Sequence, residues 1–277
     1  MQNQNQTIIF STCWYQFKCK FSKDVFLHWI DNFLSNVKDK FFLVIYSDKE
    51  SCDCILPYLN NVNIRLILKP YTEFYGYKYK DAWIENHENN DFLNSHTDWR
   101  VNMLWCEKIH FVYETIRRSV KLFGYKTNFY GWCDIGYFRG RYNDSTNTEL
   151  LNWPNKEKIV ALNPEKIHYA CVQRNKDYVN ELIRLIIIGK NEQGIPPIPP
   201  YQISIGGGFF ILHKDKIKWW KRLFDNTLSR YFSNRVLVKD DQIILADCIF
   251  SNMSHFQIYK EDAVNYDNWF LFQRVFA

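Results

Sequence analysis

An aspartate closes the apolar run Asn128-Phe129-Tyr130-Gly131-Trp132-Cys133-Asp134 and is followed by Ile135 and Gly136. A carboxylate at the end of a buried strand can hold Mg²⁺ or Mn²⁺, and such a cation neutralises the charge on a departing phosphate. Gly136 would let that ligand come close to the backbone. A second acidic cluster, Asp240-Asp241-Gln242, opens an apolar stretch that runs to Phe250. One aspartate there can cap a helix. The other, Asp241, or the neighbouring Gln242, could then act as a base toward a hydroxyl or as a polar group beside a reacting carbon. Lys108 precedes the Asp134 run and Arg139 follows it; both are candidates to face phosphate oxygens.

Other polar features carry less chemistry. Gly206-Gly207-Gly208 has neither the GxGxxG nor the GxxxxGK[ST] spacing of a phosphate loop. Glycines within an apolar strand signal instead a close approach of ligand to backbone, or a bulge. The histidines show no HExxH spacing; His255 could complete a late metal site, with a packed structural histidine as the simpler reading. Eight cysteines include one CxC, Cys52 and Cys54, but no CxxC pair. They read as reduced, mostly buried thiols.

These residues need a scaffold, and its pattern is α/β. Residues 7–13, 41–46 and 64–68 are short apolar runs that read as buried strands, with an amphipathic helix over 25–34 between the first two. That alternation predicts a mostly parallel, doubly wound sheet. Residues 71–97 show no clear period and read as a long loop with short helices. Residues 101–122 show helical spacing, stopped by Gly124, before the Asp134 strand. Later, 159–162 reads as a strand, 177–188 as a helix and 195–200 as a stiff proline connector. A glycine-broken strand is expected over 204–212, helices over 214–232 and 241–250, and a last strand over 256–259. In such sheets ligands bind beyond the carboxyl ends of the parallel strands. Ser11-Thr12, Asp48 and Asp134 all fall at such ends, so they should meet on one edge.

Composition bounds the function class. With 47% hydrophobic and 18% aromatic residues in 277, the chain can bury a large core. A net charge of +5 is spread along the sequence, without the basic stripe of a nucleic-acid binder. The polar start Met1-Gln2-Asn3-Gln4-Asn5-Gln6 lacks the form of a signal peptide, and no apolar stretch is long enough to span a bilayer. A cytoplasmic protein with no membrane span is expected, built as a single domain over 1–277.

Several segments, taken in order, resemble one family. They are Phe10-Ser11-Thr12-Cys13-Trp14-Tyr15, Phe42-Leu43-Val44-Ile45-Tyr46-Ser47-Asp48, Trp105-Cys106-Glu107-Lys108 and Trp132-Cys133-Asp134-Ile135-Gly136-Tyr137-Phe138-Arg139. Gly207-Gly208-Phe209-Phe210, Lys239-Asp240-Asp241-Gln242 and Asn268-Trp269-Phe270-Leu271-Phe272-Gln273 complete the set. The chain resembles the HtrL/YibB family of glycosyltransferases over nearly its whole length. The resemblance implies a GT-A fold, with a nucleotide-binding half over about 1–140 and an acceptor half over about 141–277. It implies transfer from a nucleotide-sugar donor, UDP-linked, to a glycan acceptor. Thr12, Cys13, Tyr15 and Asp48 would line the nucleotide pocket, and Gly207 and Gly208 the donor sugar. Lys108, Trp132 and Arg139 would flank the donor, with Asp134 at the metal and Asp241 and Gln242 at the reaction centre. One departure stands out: Gly136 occupies the second acidic position of D-x-D. A catalytically silent nucleotide- or glycan-binding protein is therefore the alternative reading.

Overall fold

The computed structural model describes residues 8–277 except 36, 38–39, 141–143, 146–148 and 192–193. The polar N-terminal segment and Thr7 lie outside the described residues. Seven strands are present: β1 (Ile8–Trp14), β2 (Phe42–Ser47), β3 (Ile64–Leu68), β4 (Phe129–Cys133), β5 (Ile167–Ala170), β6 (Phe209–His213) and β7 (Phe256–Tyr259). The α-helices are α1 (Lys23–Leu34), α2 (Lys80–Glu88), α3 (Trp99–Phe123), α4 (Lys156–Val160), α5 (Lys176–Asn191), α6 (Ile217–Ser233), α7 (Asp241–Phe250) and α8 (Leu271–Val275).

All seven strands form one sheet in the order β3-β2-β1-β4-β6-β5-β7. The first four run parallel, β6 is antiparallel to both β4 and β5, and β7 is parallel to β5. Strands from both halves of the chain thus share a single hydrogen-bonded ladder. The sheet is mostly parallel, as its sequence pattern predicts, with β6 as the exception.

Side chains alternate across each central strand, so one sheet feeds two cores. Ile9, Val44, Tyr130 and Phe210 point into a core shared with α3, α6 and α7. Phe10, Leu43, Phe129 and Phe209 point into the opposite core, covered by α1 and α8. Burial on both faces explains why these strands read as unbroken apolar runs. The helix boundaries have local causes. Asp98 caps α3 by accepting a hydrogen bond from the Arg100 amide at 2.8 Å, and Gly124 ends it in the left-handed region at φ 73°.

Two expected strands are corrected. Residues 159–162 are not a strand: Asn155 accepts from the Lys158 amide at 3.0 Å and starts α4 instead. Ile159 is then buried while Val160 is exposed, an inside–outside pair that suits a helix turn as well as a strand. The strand of this region is the neighbouring β5. The segment 204–212 joins the ladder only from Phe209, apart from one isolated bridge between Ile205 and Cys171. Its glycines have other partners, described below. The expected helix over 214–232 begins as a 3-10 turn and becomes α6 at Ile217. Among the described residues no helix is long and apolar enough to cross a membrane.

Candidate active site

A cleft of about 490 Å³ opens beyond the carboxyl ends of β1 and β4. Two facts of chain topology place it there. The parallel strands β1 and β4 end side by side, and antiparallel β6 brings the residues before Phe209 to the same edge.

At its floor a buried ammonium joins three elements. Lys108 on α3 lies 3.2 Å from Asp134 Oδ1 and 3.2 Å from Asp241 Oδ2. It also donates to the Gly207 carbonyl at 2.9 Å. Burial opposes a charge on Lys108, but the two carboxylates outweigh it and raise its pKa, so the side chain stays protonated. Asp134 is fixed from two further directions. Its backbone amide donates to the Gly208 carbonyl at 2.8 Å, and its Oδ1 accepts the Trp132 indole N–H at 2.5 Å. Its side chain keeps 38% exposure, so this carboxylate faces the cleft.

Asp241 lies at the start of α7, which Asp240 caps by accepting from the Gln242 amide at 3.2 Å. Burial pushes the Asp241 carboxyl up to about 6; Lys108 opposes this, while Asp240 and Asp134 add to it. Lys108 is close to Asp241 Oδ2 but not aligned to donate to it. That buried oxygen, and the buried Oε1 of Gln242, have no hydrogen-bond donor among the described residues. Buried acceptors without donors are rare, and here both belong to residues that line a cleft.

The glycines serve the carboxylates. A Cβ on Gly207 would stand 2.5 Å from Asp241 Oδ2, and one on Gly208 would stand 3.2 Å from Asp134 Oδ2. Both residues line the cleft, and their missing side chains make room for the acids as well as for a ligand. Gly136 is likewise set by packing: a Cβ there would meet Trp29 Cε3 at 2.7 Å. The edge of an indole ring thus fills the space that a side chain at position 136 would take.

The other expected residues divide. Cys13, Tyr15 and Arg139 line the cleft. Burial, then the charge of Asp134, pushes the Cys13 thiol up, so it is an unreactive wall. The Tyr15 hydroxyl is spent on the Lys69 carbonyl at 2.7 Å, leaving its ring as the contact surface. Arg139 donates from Nε to the Gly136 carbonyl at 3.1 Å and lies over the rings of Trp29 and Phe270. Two expectations are corrected. Thr12 is fully buried in β1 and does not line the cleft, because the strand's alternation turns it toward the α1 core. Asp48 is not on the cleft wall either: its Oδ1 accepts the Ser51 amide at 2.8 Å and shapes the turn after β2. His255 packs on Trp219, ring centres 4.3 Å apart.

An aromatic wall completes the cleft, and no motif in the sequence marks it. Phe21, Phe26 and Trp29 form an edge-to-face cluster on one side of the cleft, with Trp105 and Trp269 also lining it. Their one sequence signal is position, since Phe21 to Trp29 follow a parallel strand at its ligand-binding end. All eight cysteines are free thiols. Among the described residues no three His, Cys, Asp or Glu side chains form a group that could hold a metal ion.

A second charged cluster lies on another side of α3. His110 Nε2 is 2.8 Å from Asp225 Oδ1, and Lys221 donates to Asp225 Oδ2 at 2.7 Å. Tyr75 stacks on His110 with ring centres 4.1 Å apart.

No family model matches the chain, and no curated protein sequence matches it.

Proposed function

We propose that the chain is a glycosyltransferase of GT-A type, akin to the HtrL/YibB family, that moves a sugar from a UDP-linked donor to a glycan acceptor. The observation that carries this reading is the floor of the cleft. There a fixed ammonium, an exposed carboxylate and a buried carboxylate with an unspent oxygen converge at the ends of parallel strands. A diphosphate leaving group needs the ammonium, the exposed carboxylate would hold a cation beside it, and a hydroxyl nucleophile needs the buried carboxylate. The sheet also supports it, since four parallel strands carry Asp134 and antiparallel β6 joins them to the later half.

In this reading the half-buried Trp105 and Trp269 offer ring faces to the nucleotide end of the donor, and the buried rings of Tyr15 and Trp132 back that wall. Lys108 and Arg139 meet the diphosphate and offset its growing charge as the sugar–oxygen bond breaks. Asp241 accepts the proton of the acceptor hydroxyl as that oxygen bonds to the anomeric carbon. Gln242 holds a donor-sugar hydroxyl with its unspent Oε1. Asp134 is the residue that would hold Mg²⁺ or Mn²⁺. A single carboxylate suffices where substrate phosphates and water complete the shell, and the packing of Gly136 against Trp29 leaves no room for a second acid. When bound, the cation adds charge neutralisation at the leaving diphosphate.

The test is the thermal midpoint with UDP-sugars and GDP-sugars, each with Mn²⁺. At a hundredfold excess over Kd, a binding donor raises the midpoint by roughly 5 °C. No shift with any nucleotide overturns the donor site. The place of Gly136 favours a second reading, a silent binder on the same scaffold. Midpoint shifts without hydrolysis or transfer across an acceptor panel would establish that reading instead.

A further inference from the structure

Asp240 and Asp241 reach the cleft on a strap, residues 236–239, that lies in neither helix nor strand. A strap without a ladder needs other partners for its backbone polar groups. At Val238 and Lys239 three asparagines supply them. Asn86 on α2 accepts from the Val238 amide at 2.8 Å and donates to the Val238 carbonyl at 2.9 Å. Asn102 on α3 donates to the same carbonyl at 2.8 Å and to that of Lys239 at 3.1 Å. Asn90, just after α2, donates to the Lys239 carbonyl at 2.9 Å. All three side chains are buried.

We propose that Asn86, Asn90 and Asn102 are positioning residues that set where Asp241 and Gln242 stand. Asn102 and Lys108 belong to the same helix, so the strap and the ammonium are held to one rigid body. The strap is clamped directly before Asp240, which caps α7, and Asp241 follows as its first residue. Neutral amides suit the task. They give donors to carbonyls and an acceptor to an amide without adding charge beside Lys108, Asp134 and Asp241. An aspartate at these positions would lose the donors and add a further negative group. This role rests on the Lys108 cluster being the working site proposed above.

The test is the lysine ammonium ¹H–¹⁵N spectrum of the full chain, with the Lys108 signal assigned by its loss in Lys108→Ala. A buried ammonium that donates to the Gly207 carbonyl and lies 3.2 Å from two carboxylates exchanges slowly and gives a resolved signal. Asn102→Ala and, as a milder change, Asn90→Ala are compared with Asp225→Ala, which destabilises α3 and α6 away from the strap. All are read at a temperature where far-UV circular dichroism shows native structure. The clamp variants should lose or broaden the Lys108 signal, and Asp225→Ala should keep it. With UDP-sugar consumption as readout, kcat should fall about tenfold to hundredfold in the clamp variants, with the donor KM within about threefold. An unchanged Lys108 signal in folded Asn102→Ala and Asn90→Ala overturns the positioning role. If the wild-type chain consumes no UDP-sugar, the transfer reading fails, and the ammonium signal still decides the role of the asparagines.

Discussion

Helix α3 carries two buried charged clusters, and they are built to opposite ends. Around His110 every strong group is spent. Both oxygens of Asp225 have partners, and although burial alone would raise its pKa, His110 and Lys221 hold the carboxyl below its usual range. Tyr75 lies over the imidazole, and its own backbone amide donates to buried Glu107 at 2.7 Å. Around Lys108 the balance is different. Asp241 is pushed above the usual carboxylate range and keeps an oxygen without a donor, and Asp134 keeps a face toward a cleft. Burial and charge are common to both clusters. What sets the second apart is unspent bonding capacity beside open space, the condition under which a ligand completes the network.

That contrast can be broken by substitution. The largest effect on turnover should come from Asp134→Ala, with roughly a 10²–10³-fold loss in UDP-sugar consumption and an intact circular dichroism spectrum. Full activity in that variant would remove Asp134 from the chemistry. Asp225→Ala should do the reverse. It leaves Lys221 and His110 without their shared carboxylate, costs about 3 kcal/mol of stability in a denaturant titration, and leaves UDP binding unchanged. A loss of UDP affinity there would mean that the two clusters are coupled through α3.

Gly207→Ala places a methyl group against Asp241 and should lower kcat about tenfold to hundredfold, with a smaller change in melting temperature. The smallest effect is one of pH. Asp241 must be ionised to accept a proton, and its carboxyl titrates at about 6. Turnover should therefore drop about tenfold between pH 7 and pH 5. A flat profile over that range would assign the proton transfer elsewhere.

Legibility from sequence followed the same divide. β1 to β4 were readable because strands buried on both faces give short apolar runs ended by polar residues. Asp134 was readable because it ends one of them. Asp48 ends another and was placed in the site for the same reason, yet its Oδ1 accepts the Ser51 amide in the turn after β2 and it does not line the cleft. Strand ends nominate candidates; local hydrogen bonds decide among them. The role of Gly136 was also misread, since only the folded chain brings Trp29 against it. The asparagine clamp had no local signal. Asn86, Asn90 and Asn102 sit far along the chain from Val238 and Lys239, and buried asparagines have the same letter as those on the surface.

In the proposed function the cleft floor of Lys108, Asp134 and Asp241 receives a nucleoside diphosphate. Crystals soaked with UDP and Mn²⁺ test it most directly. Diphosphate density is expected in the cleft within hydrogen-bond distance of Lys108, with Asp134 beside it. Nucleotide bound elsewhere on the chain, or a cleft that stays empty at saturating UDP, would contradict it.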